Sequence, residues 1–265
     1  MRQRRMRSPI GSPGTTERLK LMRNILFLMT DQQRWDAMGS RGGWVKTPNL
    51  DRIAAEGTSF SNCVTTSPVC VPARVTLATG RYPHNNGVWN HMPYAVPAES
   101  DNWMREIRNL GFRTSLFGKT HLHPHGRSDL REKEDLLHSL GLDDVNEIGG
   151  PRASATGLSH MTATWIEQGL LEAYRADFKE RFANKQYVVR PSALPLAQYY
   201  DVYVGQQAKQ YLSSYDRDEP WFCWVSWGGP HQPWDTPEPY ASMYDPDTMP
   251  PPATHDTGQP RPKGP

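Results

Sequence analysis

Asn24-Ile25-Leu26-Phe27-Leu28-Met29-Thr30-Asp31 is an apolar run of strand length that ends on a carboxylate. Apolar residues in unbroken succession, without alternation, are the pattern of a strand buried on both faces of a parallel sheet. Thr47-Pro48 then opens a helix, with Pro at an early position. Leu50, Ile53 and Ala54 mark its buried stripe, and Gly57 ends it. Thr58 to Cys63 reads as a second strand, followed by a helix around Pro72 to Thr79 that Gly80 closes. Trp103, Ile107 and Leu110 have the i, i+4, i+7 spacing of a helix that stops at Gly111. Thr114 to Phe117 is a short strand, Val204, Ala208, Tyr211 and Leu212 define another helix, and Trp221 to Trp227 is a strongly apolar strand. Residues 125–195 are polar and loop-rich, with only partial helical pattern.

This alternation predicts an α/β fold, a mostly parallel sheet with helices on both faces. Functional groups in such sheets gather beyond the carboxyl ends of the strands. Three polar residues fall there: Asp31 after the first strand, Lys119 after Phe117, and His231 after Trp227.

The chain has 265 residues, enough to bury the core of one large domain. Its net charge of +2 is too small to suggest nucleic acid or an anionic membrane as a partner. Mean hydropathy is −0.72, and no run approaches the ~20 apolar residues of a membrane span. Arg2, Arg4, Arg5 and Arg7 make a basic start that is not followed by the apolar stretch of a secretion signal, which points to the cytoplasm. Residues 1–21 read as a disordered basic tail or an over-extended start, and 22–245 as the folded domain. Residues 246–265, with Pro250, Pro251, Pro252, Pro260, Pro262 and Pro265, read as an irregular tail. The three cysteines, Cys63, Cys70 and Cys223, form no CxxC and are odd in number, so neither a disulfide framework nor a zinc site is indicated. Cys63 and Cys223 read as small core residues. Oligomeric state is open, a homo-oligomer being one reading.

Cys70-Val71-Pro72-Ala73-Arg74 is the most informative stretch for chemistry. Pro72 favours a helix start, which leaves Cys70 just outside the first turn, at the positive end of the helix dipole. Arg74 adds a permanent cation one turn on. An anion is stabilised at such a place and a thiol pKa should fall; the same features also describe a half-buried loop cysteine near a cap. Asp31 is either a hard-cation ligand or the cap of the following turn. Lys119 and His121 are two apart, so on an extended segment they face one way and could grip a tetrahedral anion; the alternative is a solvated strand end with an incidental His. His231 sits on a glycine-rich turn and suits proton transfer near neutral pH, or is a turn His held by its own backbone. His123 and His125, in His-Leu-His-Pro-His, look like a metal tract, although the preferred reading of both is surface loop histidines.

Cys70-x-Pro72-x-Arg74 followed by Thr79-Gly80-Arg81 resembles the signature of the sulfatase family, within the alkaline phosphatase superfamily. Thr30 to Asp36, Gly118-Lys119-Thr120-His121 and Pro230-His231-Gln232-Pro233 are similar to three further motifs of that family, and the likeness runs from about Arg23 to Met249. Gln32, where many members have a second acidic residue, resembles the choline-sulfatase and phosphonate-monoester-hydrolase branch.

The resemblance implies that a formylglycine-generating enzyme oxidises Cys70 to an aldehyde. It implies a divalent cation, Ca²⁺ first and Mg²⁺ or Mn²⁺ as alternatives, on Asp31, Gln32 and residue 70. Lys119 would contact the sulfate, Arg74 anchor the nucleophile, His121 hydrogen-bond the formylglycine, and His231 act on the sulfate or leaving group. The substrate would be a small-molecule sulfate ester, with a phosphonate or phosphodiester as the alternative on the same scaffold. The family also has a later Asp followed by Asn or His, a further lysine and a C-terminal subdomain, none of which this sequence shows. The chain is therefore expected to be the N-terminal portion of a sulfatase, truncated before the C-terminal part, with an inactive fragment as a third reading.

Overall fold

The computed structural model describes residues 23–183 and 188–251. Its strands are β1 (Ile25–Met29), β2 (Arg113–Gly118), β3 (Asp144–Glu147) and β4 (Trp221–Ser226), joined in one sheet of order β1-β4-β2-β3. All three pairings are parallel. The register levels the strand ends: Met29 pairs with Ser226, Ser226 with Gly118, and Gly118 with Glu147. Whatever follows each strand therefore emerges along one edge of the sheet.

The helices among the described residues are α1 (Pro48–Glu56), α2 (Cys70–Thr79), α3 (Pro83–Asn86), α4 (Trp103–Asn109), α5 (Glu134–Ser139), α6 (Gly150–Ser154), α7 (His160–Glu167), α8 (Leu171–Ala183) and α9 (Tyr200–Ser213). Their ends follow from local chemistry. Asn102 accepts the Arg105 N–H and starts α4. Ser159 and Thr162 exchange hydrogen bonds in a capping box that starts α7. Gly80, at φ 67, closes α2 by returning its N–H to the Thr76 carbonyl.

Alternation along β2 and β4 feeds two cores. Leu116, Phe222 and Trp224 pack with Val75, Met104, Leu137 and Leu140 from α2, α4 and the α5 region. Phe117, Cys223 and Val225 pack with Trp165, Tyr174, Tyr200 and Val204 from α7, α8 and α9. Helices thus cover both faces, as the alternation predicts. Each fully buried large apolar side chain, such as Leu116, contributes on the order of 1.5–3 kcal/mol through burial.

Several expectations are corrected. β1 is not buried on both faces: among the described residues it pairs with β4 alone, and Leu26 is 47% exposed. An apolar run fixes strand propensity, but burial depends on what lies beside it. α1 forms over the expected span, yet it has no fully buried residue, and Ile53 is 53% exposed. Residues 58–63 form no strand, and Cys63 is exposed rather than in the core, whereas Cys223 is buried as expected. Cys70 is the first residue of α2, with Val69 as its N-cap, so it lies inside the first turn rather than outside it. The stretch 125–195 holds β3 and four helices, α5 to α8, that its polar sequence concealed. Of the Pro-rich tail, the described part carries a single 3₁₀ turn at Pro246–Thr248. The expected basic tail, residues 1–21, lies outside the described residues.

Candidate functional site

Backbone hydrogen bonds tie the levelled strand ends together. The Asp31 N–H donates to the Gly229 carbonyl at 3.0 Å, and Lys119 N–H to the Ser226 carbonyl at 2.9 Å. Gly118 permits this approach: at φ 115, a Cβ there would stand 1.8 Å from the Ser226 carbonyl oxygen. The Gly228-Gly229 turn is held from α9, where Asp201 Oδ1 accepts both glycine N–H groups at 3.0 and 3.1 Å.

Arg74 reaches from α2 into this edge and is 1% exposed. Its guanidinium donates to Asp31 Oδ2 at 2.9 Å, to the Lys119 carbonyl at 2.6 Å and to Ser226 Oγ at 2.9 Å. Lys119 Nζ meets the same Asp31 Oδ2 at 2.9 Å. Burial alone would raise the Asp31 carboxyl, but Lys119 and Arg74 outweigh it and hold the group below its usual range. Asp31 Oδ1 remains, and Cys70 Sγ faces it at 3.6 Å.

The Cys70 thiol is pushed up, not down. Burial and the facing carboxylate outweigh Lys119 and Arg74. The expected depression assumed an exposed helix entrance, whereas Cys70 is half-buried against an anion. As a thiol it is a poor nucleophile here.

Asp31, Cys70 and His231 each offer one donor atom, and the three atoms lie within 4.8 Å of one another. The carboxylate and the group at residue 70 fit a divalent cation as part of its shell, since Ca²⁺ takes about six or more ligands, and the imidazole stands beside them. Gln32, the next residue, is exposed and adopts left-handed backbone at φ 58.

His231 donates Nδ1–H to the Gln232 carbonyl at 2.7 Å, as a turn His held by its own backbone would. Burial lowers its pKa, so the ring is neutral at pH 7 and Nε2 carries the lone pair. Lys119, His121 and His231 share a cavity of about 320 Å³ with His91, His125 and Arg152. His121 reaches it by a different backbone from the extended segment expected, since its φ is 56. Burial, with His125, Lys119 and Arg74 nearby, pushes His121 well below the usual imidazole range.

A family model described as sulfatase matches residues 23–254. The chain belongs to the sulfatase family. It is 31% identical over 228 residues to an ulvan-active sulfatase of Formosa agariphila, covering 85% of this chain and 39% of that protein. It is 28% identical over 255 residues to an arylsulfatase of Clostridium perfringens, covering 88% of this chain and 48% of that protein. The phosphonate monoester hydrolase of Agrobacterium radiobacter shares the fold, with TM-score 0.60 at 24% identity over 86% of this chain and 45% of that one. This sulfatase-family chain thus spans less than half the length of these relatives. No helix among its described residues is long and apolar enough to cross a membrane.

Two cavity residues escaped the sequence reading. His91 lies in a Met-Pro-Tyr loop with no motif around it, and its ring meets His121 edge-on at 6.1 Å. Arg152 sits at the exposed rim in the stretch that gave no clear elements. His123 and His125 are corrected: their side chains are 1% and 2% exposed, and both bond Glu147 at the end of β3. The sequence carries no sign that a buried carboxylate 22 residues later in the chain would collect them.

Proposed function

We propose that this edge is the sulfate-ester-hydrolysing centre of a sulfatase, with Cys70 converted to formylglycine by a formylglycine-generating enzyme. The observation that carries the reading is the convergence of Asp31, residue 70 and His231 with Arg74 and Lys119 at the levelled strand ends. The raised thiol supports conversion, because an unmodified Cys70 would contribute little thiolate at neutral pH. The aldehyde, when formed, supplies an oxygen nucleophile and the means to release sulfate by C–O cleavage. Asp31 and residue 70 would hold the divalent cation, with Gln32 as the adjoining oxygen donor, and the cation would supply charge stabilisation on the sulfuryl oxygens.

The chain's own groups do the rest. Arg74 fixes the Asp31 carboxylate, and its planar fork satisfies three acceptors that a lysine could not. Lys119 brings positive charge to the cavity wall, where the anionic substrate group sits. His231 enters neutral, so Nε2 first accepts a proton and then returns it to the departing alcohol oxygen. Neutral His121 stands in the same cavity as a hydrogen-bond partner for residue 70. Arg152 at the rim receives an anionic ester.

A second reading, hydrolysis of phosphonate monoesters or phosphodiesters, uses the same residues and is supported by the fold match at TM-score 0.60. Co-expression with a formylglycine-generating enzyme, mass spectrometry of the peptide bearing residue 70, and turnover of an aryl sulfate beside an aryl phosphonate ester test both. The expected result is the aldehyde, faster aryl-sulfate turnover, and loss of turnover in Cys70→Ala. Undiminished activity in Cys70→Ala would refute the nucleophile, and faster phosphonate turnover would favour the second reading.

A further inference from the structure

A second cluster lies behind the cavity. His123 and His125 come from the loop after β2, and Glu147 is the last residue of β3. One donor atom from each lies within 4.8 Å of the other two. His123 Nε2 is 2.7 Å from Glu147 Oε2, and His125 Nε2 is 2.9 Å from Glu147 Oε1. All three side chains are at most 2% exposed.

The hydrogen-bond pattern of this cluster calls for one further positive charge, a proton or a cation. His123 Nδ1 lies 3.2 Å from the Pro124 carbonyl and its Nε2 faces a carboxylate, so both ring nitrogens meet groups that only accept. Either the ring is a buried imidazolium, or Nδ1 keeps its proton and the Nε2 lone pair is shared with a cation. His125 Nδ1 is buried with no hydrogen-bond partner among the described residues, as is His121 Nδ1 beside it.

The surroundings match those of ligated metals. A metal-bound imidazole ordinarily gives its other N–H to a backbone carbonyl, as His123 does to Pro124. A ligating carboxylate is ordinarily hydrogen-bonded in turn, as Glu147 is by Thr120 Oγ1. Zinc bonds of about 2.0–2.1 Å set tetrahedral ligand atoms roughly 3.3 Å apart, so the observed 2.7 and 2.9 Å pairs need open by only about half an ångström. A cavity of about 260 Å³ lined by His121, His123 and His125 gives an entry path.

We infer that His123, His125 and Glu147 form a buried site for a divalent first-row transition ion of the zinc type, separate from the hard-cation position at Asp31. Two imidazoles and one carboxylate are a borderline-soft donor set, which prefers Zn²⁺ or Co²⁺ over Ca²⁺. The ion staples the 119–125 loop to the end of β3. It thereby fixes His121, whose left-handed backbone at φ 56 needs a rigid surround, and Lys119 two residues earlier.

The test uses Asp31→Asn protein, so that the hard-cation position does not count. Chelator-treated protein is titrated with Zn²⁺ by calorimetry and with Co²⁺ by visible absorption. The expected result is one equivalent of each, four-coordinate Co²⁺ bands, and an upward shift of the thermal midpoint with Zn²⁺. Adding His123→Gln or Glu147→Gln should weaken Zn²⁺ binding by at least ~100-fold and remove the shift. Absence of Zn²⁺ and Co²⁺ binding in the Asp31→Asn protein overturns the inference, and so does binding that His123→Gln leaves unchanged. If Glu147→Gln does not fold, His123→Gln and the Asp31→Asn titration still decide.

Discussion

Removing Arg74 should cost far more than its place on one short helix suggests. The guanidinium is buried and satisfies three acceptors at 2.6–2.9 Å, one of them the Asp31 carboxylate. Stripping one partner from a buried ion pair costs about 3–5 kcal/mol. Asp31 keeps Lys119 at 2.9 Å, and the Lys119 carbonyl keeps the Ser226 hydroxyl, so Arg74→Ala should fall at the lower end, about 3 kcal/mol. For a chain of this size 1 kcal/mol moves the midpoint by about 2–4 °C, which gives a fall of about 6–12 °C. Arg74→Lys keeps the charge but reaches fewer acceptors, and should lose about half as much. Arg81→Ala is the control: Arg81 meets Asp101 at 3.2 Å with side chains 55% and 89% exposed, and such a pair is worth about 0–1 kcal/mol. Thermal unfolding followed by circular dichroism reads all three. The acid limb adds a signed check. Asp31 is held below its usual range, so its stabilisation is present above the unfolded carboxyl pKa of about 4 and is lost as pH falls through the lower folded value. In Arg74→Ala that loss should begin at higher pH. An Arg74→Ala midpoint no lower than that of Arg81→Ala would refute the reasoning.

Gly118→Ala should destabilise by at least about 3 kcal/mol in urea titration, because its Cβ would stand 1.8 Å from the Ser226 carbonyl across the central strand pair; wild-type stability would show that β2 and β4 can part there. Burial raises the Asp201 carboxyl to about 6, so wild-type stability should decline as pH rises from about 4 to 6 on its account. Asn still accepts the Gly228 and Gly229 N–H groups without charge. Asp201→Asn should therefore gain about 1–2 kcal/mol relative to wild type at pH 7.5, after discounting for partial exposure, and little at pH 4; a gain independent of pH contradicts the assignment. In unconverted protein, iodoacetamide should alkylate exposed Cys63 roughly tenfold or more faster than half-buried Cys70, and peptide mass spectrometry showing the reverse order would remove the raised-thiol account.

What the sequence revealed and what it hid divide along a physical line. Strand β1, helix α2 and strand β4 were legible because periodicity and helix-ending glycines are local properties. Burial was not, because it belongs to neighbours. Leu26 and Leu28 look like core in sequence, yet they stand on the open side of β1, with Ala208 and Leu212 of α9 along the same groove. Ile53 shows the helical spacing of a buried residue, yet it remains 53% exposed.

The candidate site shows the same division at the scale of single atoms. Asp31, Cys70, Lys119 and His231 could be nominated because each follows a strand or opens a helix, and parallel register then brings strand ends to one level. Proximity was thus foreseeable from topology, but ionisation was not. The helix dipole and Arg74 argued for a lowered Cys70 thiol; the Asp31 carboxylate facing it at 3.6 Å, together with burial, reversed the sign. His123 and His125 failed for the same reason in the opposite direction. Nothing in a His-Leu-His-Pro-His run says whether it meets water or a buried carboxylate, and Glu147 becomes its partner only because β3 lies beside β2. Charge in a parallel α/β site is set by pairs of residues far apart in the chain. A motif therefore names the groups, while the sheet order decides which of them carry protons.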